Sequence, residues 1–317
     1  MEIREYQKGD EIKIYELFES TFGKKISPDY WNWLFVENPT KLVMIKLMWD
    51  NDVLAGHYAV SPLFFSFNNE KILSALSLTT MTNPLYVGKG IFTTLADKLY
   101  KDFVKKEHLK SVWGFPNTNS HYAFIKNLKW QNLEVLPTLS LNIEKFKISS
   151  NNLFSDFNLF NEEHSKATHN VLSKYLVFSY RNSDYMNWRY TKHPLNKYDF
   201  FEKEINGINY FAVTKIFNSF SDPTKMEVDI LELILPEEYD IIYSCISDIL
   251  RFYENKNLIK INIWMPINDI KHIYLEKIGF TQSLPITYSG ILVLDDKYNQ
   301  LKNNNNWYIS MGDSDIF

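Results

Sequence analysis

The chain has a single cysteine, Cys245, in 317 residues, which excludes an intrachain disulfide framework and a thiolate metal cluster; no metal site is expected. It has no basic excess, with 34 Lys and Arg against 38 Asp and Glu and a formal net charge of −4, so a general nucleic-acid binder is not expected either. No apolar run approaches the roughly eighteen residues that span a bilayer, and the opening MEIREYQKGDEIKIYELF has no apolar signal core. A cytoplasmic protein is the expectation. What remains is the composition of an ordinary globule, 45% hydrophobic and 23% charged, with abundant aromatics at 16%. These serve as bulky core filler or as stacking surfaces for flat ligands and sugars. The length favours two domains, or two lobes sharing an interface.

An internal repeat supports two lobes. DYWNWLFVENP, Asp29 to Pro39, recurs as DYMNWRYTKHP, Asp184 to Pro194, and FPNTNSHYAFIKNLKWQ from Phe115 runs in step with MPINDIKHIYLEKIGFTQ from Met265. Two matches in one order and at nearly one spacing point to two copies of an α/β unit. They are joined in the polar, Asn/Ser-rich segment 147–170.

In the first copy, IREY reads as a strand and DEIKIYELFESTFG as an amphipathic helix with Asp10 at its N-cap and Gly23 as its stop. SPDYWNWLF is a second helix, opened by a serine cap and Pro28. KLVMIKLMWD and VLAGHYAVSPLFFSF form a hairpin, KILSALSLTTMT a further strand, and the region after it a helix to about Lys106, followed by the strand SVWGFP and a helix from about Asn119 to Asn127. Strand, helix, strand implies a parallel crossover pair. The second copy repeats the scheme, with a hairpin around Asn206 and Gly207.

The stretch that carries chemistry is NPLYVGKGIFTTLADKL. A glycine turn leading into a helix offers unpaired N–H groups and a partial positive charge to an anion. Gly88 and Gly90 let the backbone approach a ligand, and Lys89 adds charge; the alternative is a plain turn. It matches neither a Walker loop nor a dinucleotide fingerprint.

With the order of elements, this stretch resembles the GCN5-related N-acetyltransferase (GNAT) superfamily, where a Pro, an aromatic and the pattern Gln/Arg-x-x-Gly-x-Gly/Ala bind the pyrophosphate of acyl-coenzyme A. Here the pattern falls on Val87, Gly88, Lys89, Gly90, Ile91 and Phe92, with Val87 in place of Gln/Arg and Phe92 in place of the final small residue. FIKNLKW and its twin LEKIGF resemble the superfamily's closing helix and strand entry. The resemblance covers nearly the whole chain as a tandem GNAT of α/β class, each lobe a mixed, largely antiparallel sheet with a central parallel pair flanked by helices. It implies an acyl-CoA-binding lobe, 1–146, a linker, 147–170, and a degenerate lobe, 171–317, that shapes the acceptor site. In the second lobe LPEEYDIIYSC puts Glu237 and Glu238 where phosphate-binding amides are wanted. The resemblance also implies a splay between the strand before the loop and SVWGFP, with the pantetheine arm hydrogen-bonded near Thr80, Met81 and Thr82. Asn117 and Asn119 are expected on the cofactor, or in turn and cap chemistry.

Acyl transfer from a thioester to an amine needs a neutral amine, stabilisation of the oxyanion and a proton for the leaving thiolate. The resemblance implies a carboxylate base on the strand before the loop and a tyrosine acid on the last helix, yet SALSLTTMTN holds no carboxylate and the tyrosine position falls on Ile125. Tyr122, one turn earlier on the same face, is the first choice for the acid. His57 and His121 titrate in the right range for a base, His57 being favoured because the resemblance places its strand beside the acceptor, with a structural role as the alternative for each, and a base is dispensable when the amine pKa is low. Near the end, WYISM reads as a strand, and Asp313, Ser314 and Asp315 either fold over the acceptor cleft as substrate ligands or form a solvated tail.

The run GFPNTNS and the tandem plan look like GNATs of bacterial surface-polysaccharide and nucleotide-sugar clusters, which implies acetyl-CoA as co-substrate and an amino sugar as acceptor. Antibiotic or protein amines are the other acceptors, and a non-catalytic acyl-CoA or glycan-binding pair is the competing class.

Overall fold

The computed structural model describes residues 1–149 and 153–317, apart from the side chains of Thr118, Asn119, Glu134 and Lys145. It divides into two compact units, Met1–Glu134 with Tyr288–Asn304, and Val135–Thr287 with Asn305–Phe317.

The first unit begins with β1 (Glu2–Glu5), α1 (Glu11–Phe22) and α2 (Pro28–Phe35). Gly23, at φ 69°, stops α1 as expected, and Ser27 accepts from the Tyr30 amide at the start of α2. Asp10 does not cap α1 with its side chain. Its carboxylate forks onto the Arg4 guanidinium at 2.7 Å and accepts from the Gln7 amide at 2.8 Å, a stronger charge-assisted alternative. β2 (Met44–Asp50), β3 (Val53–Phe67) and β4 (Glu70–Thr82) form a meander whose second turn places Asn68 and Asn69 at φ 48° and 63°. Two consecutive positive φ values are what a type I′ hairpin needs. α3 (Ile91–Glu107) crosses to β5 (Ser111–Gly114), and α4 (Thr118–Asn127) follows. Ile91, Leu95, Ala96, Leu99, Tyr100 and Phe103 recur at helical spacing on α3 and close the core over β2, β3 and β4.

β6 (Gln131–Asn142) starts in the first unit and ends in the second. The second unit continues with β7 (Ser155–Asp156), α5 (Glu162–Leu172), β8 (Val177–Ser179) and α6 (Ser183–Met186), which runs on as a π-turn over Asn187–Thr191. β9 (Asp199–Ile205) and β10 (Ile208–Asn218) turn at Asn206 and Gly207, at φ 54° and 74°, as the sequence predicts. β11 (Met226–Ile234), α7 (Tyr239–Phe252), β12 (Leu258–Trp264) and α8 (Ile270–Ile278) follow. β13 (Thr281–Val293) starts in the second unit and ends in the first.

The strand order β2-β3-β4-β5-β13 in the first unit matches β9-β10-β11-β12-β6 in the second. In each, the parallel pairing among the described residues is the crossover pair, β4 with β5 and β11 with β12. The last strand of each unit is the one that follows the other unit's final helix, so the units exchange β6 and β13. Accordingly the polar segment 147–170 is not where the chain divides; its described part lies within the second unit and carries β7 and most of α5. WYISM is not a strand either: Trp307 makes one isolated bridge to Val177, and 308–310 have no ladder. No helix among the described residues is long and apolar enough to cross a membrane.

Gly56 on β3 lies directly under the start of α3: a Cβ there would overlap Ile91 Cγ2 and stand 3.2 Å from Leu95 Cδ1. Gly56→Val is expected to destabilise the chain by about 2 to 3 kcal/mol, read as a lower urea midpoint; an unchanged midpoint would show that α3 is not seated this way.

Candidate active site

β4 and β5 share three registered pairs, Ser74 with Ser111, Ala75 with Val112 and Leu76 with Trp113. β4 then continues to Thr82 beside β3, while β5 stops at Gly114. The strands part, and the main chain of β4 beyond Ser77 has no described ladder partner on the β5 side, which leaves hydrogen-bonding groups for a ligand.

A bulge sets the direction of that free edge. His57 of β3 pairs with Met81 and Ala59 with Leu78, so Thr79 and Thr80 stand opposite Tyr58 alone, and Thr79 takes φ 52°. His57 is fully buried beneath it, edge-on to Phe35. Its Nδ1 donates to the Thr79 carbonyl at 2.9 Å, and its Nε2, buried without a partner, is therefore the bare nitrogen. Burial pushes the imidazole pKa down to about 4 against the pull of the Thr79 carbonyl. Of the residues expected near the cofactor arm, Thr80 and Thr82 are half-buried and Met81 is in the core.

The loop leaves β4 at Asn83, which is tied to β3: its amide donates to the Ala55 carbonyl at 3.0 Å, its side-chain NH2 to Leu54 at 3.3 Å, and its Oδ1 accepts from the Leu85 amide at 3.1 Å. Tyr86 donates to Asp50 at 2.8 Å, and Lys89 lies 4.6 Å over the Tyr86 ring. Gly88 and Gly90 take φ 83° and 71°, conformations that favour glycine, and a Cβ on Gly88 would meet no atom within 4 Å. Val87, Gly88, Lys89 and Gly90 are all exposed. α3 then starts without a side-chain cap; Thr93 and Thr94 donate to the Gly90 carbonyl at 2.9 Å and leave the first amides of the helix free for an anion. Ile91 is buried, and Phe92 packs between Tyr58 and Phe124.

Below the parting strands, Ser77 meets the Tyr58 hydroxyl at 2.9 Å, and Tyr58 meets that of Tyr100 at 2.5 Å. Burial pushes the Tyr58 phenol up to about 12, so this chain of hydroxyls stays protonated. On α4, Asn117 accepts from the Ser120 amide at 3.0 Å, the cap alternative made real, and the side chain of Asn119 lies outside the described residues. His121 Nε2 is 2.6 Å from Asn132, with its ring against Tyr288, and Tyr122 is 67% exposed.

Asp313 is not presented to a cleft. It is buried in the second unit, where Arg181 Nη2 and the Ser179 hydroxyl each donate to it at 2.6 Å, while Arg181 Nε also donates to Glu232 at 2.9 Å. Buried and held by these donors, the carboxylate does not face solvent. Ser314 is buried and Asp315 exposed. At the start of α7, where the second unit would need phosphate-binding amides, Glu237 pairs with Lys174, which also stands 3.4 Å from Asp269, itself the acceptor of the Tyr175 hydroxyl.

A histidine whose folded pKa lies below its ordinary 6.5 binds fewer protons folded than unfolded between the two values, so the stability it contributes is lost as pH falls from 6.5 towards about 4. The loss through His57 amounts to about 3 kcal/mol at most. In His57→Gln the dependence of the urea midpoint on pH should flatten over that window; parallel profiles would show that this ring does not hold its proton count as described.

Residues 2–132 match the family described as an acetyltransferase (GNAT) domain. No curated protein matches the chain by sequence. Among solved structures, a GCN5-related N-acetyltransferase from Anabaena variabilis is similar at TM-score 0.70 and 10% identity, over 93% of this chain and 73% of its own. Eis1 from Mycobacterium abscessus is similar at TM-score 0.66 and 11% identity, over 96% of this chain and 76% of its own. Saccharomyces cerevisiae N-myristoyltransferase with bound myristoyl-CoA follows at 0.59 and 8%, over 92% and 78%. At such identities the likeness is one of fold, and it extends over both units. Sequence match, strand order, parted strands and glycine loop agree: residues 2–132 are similar to the acetyltransferase (GNAT) domain family, and the fold over both units is that of GCN5-related N-acetyltransferases.

Proposed function

We propose that the chain moves an acyl group, acetyl in the first instance, from acyl-CoA to the amine of a small acceptor, and that the acceptor is an amino sugar or nucleotide-linked amino sugar of surface-glycan biosynthesis. The observation that carries the reading is the uncapped start of α3 behind Gly88, Lys89 and Gly90, joined directly to the free edge of β4. These residues fit the group: Gly88 opens onto empty space where a side chain would intrude, and Lys89 brings a cation to the same turn.

Bound acyl-CoA supplies the thioester; the acceptor nitrogen forms the new N–C bond as C–S breaks, and the proton the amine gives up is matched by the one the thiol takes. The amides from Val87 to Phe92 hold the pyrophosphate, and the main chain of Thr80, Met81 and Thr82 holds the pantetheine arm, with Asn117 at the mouth of α4. Tyr122 gives the proton to the leaving thiolate. His121, half-buried at the head of α4, takes the base role in place of the favoured His57, which is sealed under the bulge and acts by positioning. The sugar-like acceptor rests on the likeness of GFPNTNS and of the tandem plan to such enzymes. The aromatic content adds little to it, because Trp31, Trp33, Trp113, Trp130, Trp264 and Trp307 are core.

Thiol release from acetyl-CoA with UDP-, dTDP- and GDP-amino sugars, beside aminoglycosides and peptide amines, tests the acceptor class; release with none, despite measurable CoA binding, would favour a binding module. Gly88→Glu strains a positive φ and fills the cradle with a carboxylate, so CoA affinity should fall below detection in a chain that still folds; unchanged affinity would remove the pyrophosphate assignment. Tyr122→Phe should lower turnover by about 100-fold or more, and a fall under about twofold would remove Tyr122 as the acid.

A further inference from the structure

One face of the second unit's sheet carries polar side chains across four adjacent strands. Lys215 of β10 stands opposite Asp229 of β11, Asp229 pairs with Asn262 of β12, and Asn262 with Ser140 of β6. Residues directly opposite in neighbouring strands point to one face, so these four side chains form a line. Ser140 donates to Asn262 Oδ1 at 2.7 Å, and Asn262 donates to Asp229 Oδ1 and to Glu227 Oε2, each at 3.0 Å. Glu227 also pairs with Lys260 at 3.0 Å. Lys215, at the end of the line, has no hydrogen bond and no close ion pair among the described residues, and it is half-buried rather than sealed. Burial pushes its pKa down, against the pull of Asp229 and with the help of the like charge on Arg189. Asp229 is a partial counter-charge near neutrality, because burial pushes its own carboxyl up to about 7 against the hydrogen bond from Asn262.

We infer that Lys215 is a modification site, an amine that acyl thioesters such as acetyl-CoA acylate directly. The ammonium sheds one proton to water, and the free nitrogen attacks the thioester carbonyl. The N–C bond forms as C–S breaks, and the proton the nitrogen then gives up is taken by the thiolate. The product is a neutral amide, and Asp229 loses a counter-charge. No contact with the glycine loop is required, since the donor arrives from solution. Two other lysines show why the site is this one. Lys260 lies on the same face and is also half-buried, but Glu227 holds it as an ammonium. Lys271 is fully buried at the start of α8, with no hydrogen bond to its Nζ, and no donor reaches it.

The test incubates the full chain with acetyl-CoA and no acceptor, and follows acetyl-lysine by peptide mass spectrometry. Lys215 should be acetylated about tenfold or more faster than Lys260, since each pKa unit taken off an ammonium raises its free-amine share about tenfold, and Lys271 should stay unmodified. Lys215→Arg should remove the fast phase of total incorporation. In Glu227→Gln, which leaves Lys260 without its carboxylate, the Lys260 rate should rise towards that of Lys215. A simple acetyl thioester lacking the nucleotide and pyrophosphate should show the same preference for Lys215, which separates this site from the glycine loop. Equal rates at Lys215 and Lys260 in the parent chain, a fast phase that survives in Lys215→Arg, or a preference seen with acetyl-CoA alone would each overturn direct acylation at Lys215. None of these outcomes bears on whether the glycine loop holds a pyrophosphate.

Discussion

One hydrogen bond, from a buried imidazole to the carbonyl of Thr79, stands under most of what this chain does. Thr79 sits at a φ that a β-branched residue adopts only under constraint. His57 supplies part of the constraint, accepting full burial and a bare Nε2 to do so. β4 leaves β5 after three pairs, the bulge follows at Thr79 and Thr80, and Asn83 is then tied to β3 where the loop starts. The glycine loop and the first turn of α3 inherit their position from that sequence of contacts. The polar edge of β4 and the positive end of α3 thereby come from consecutive residues of one chain segment.

The two units share a strand order and differ in electrostatics where it counts. In the first, the turn before α3 carries two glycines and a lysine, and no side chain caps the helix. In the second, the turn before α7 carries Glu237 and Glu238, with Lys174 and Tyr175 folded in to answer Glu237 and Asp269. A helix start already supplied with carboxylates repels a pyrophosphate. The second unit further buries Arg181 between Glu232 and Asp313, a grouping whose desolvation is offset only while every partner is present. That cluster seats the stretch around Gly312, where a Cβ would overlap Tyr190 and Glu232.

Local chemistry was legible in the sequence. The Asn206–Gly207 pair turned where its tolerance of positive φ allows, and Gly23 and Ser27 closed and opened helices. The glycine loop was legible because glycine there has a backbone reason. Three features were not. The bulge depends on which residue of β3 faces which of β4, a register that a run such as LSLTTMT does not declare. Tyr86 and Asp50, the anchors of the loop, lie far apart in sequence and look like ordinary surface residues until paired. Asp313 reads as an exposed acid beside Asp315, and only Arg181, more than a hundred residues away, takes it inside.

The exchange of β6 and β13 bears on how the chain can be made. β5 finishes at Gly114, but its neighbour, through the pairing of Gly114 with Gly290, is among the last strands to be synthesised. During translation the first unit therefore waits with a bare sheet edge for on the order of ten seconds at ordinary elongation rates. An exposed edge of that kind is open to wrong partners, and the pairings that finally cover it have large sequence separation, which slows folding. A cut in 147–170 would leave each piece holding strand residues that belong to the other unit.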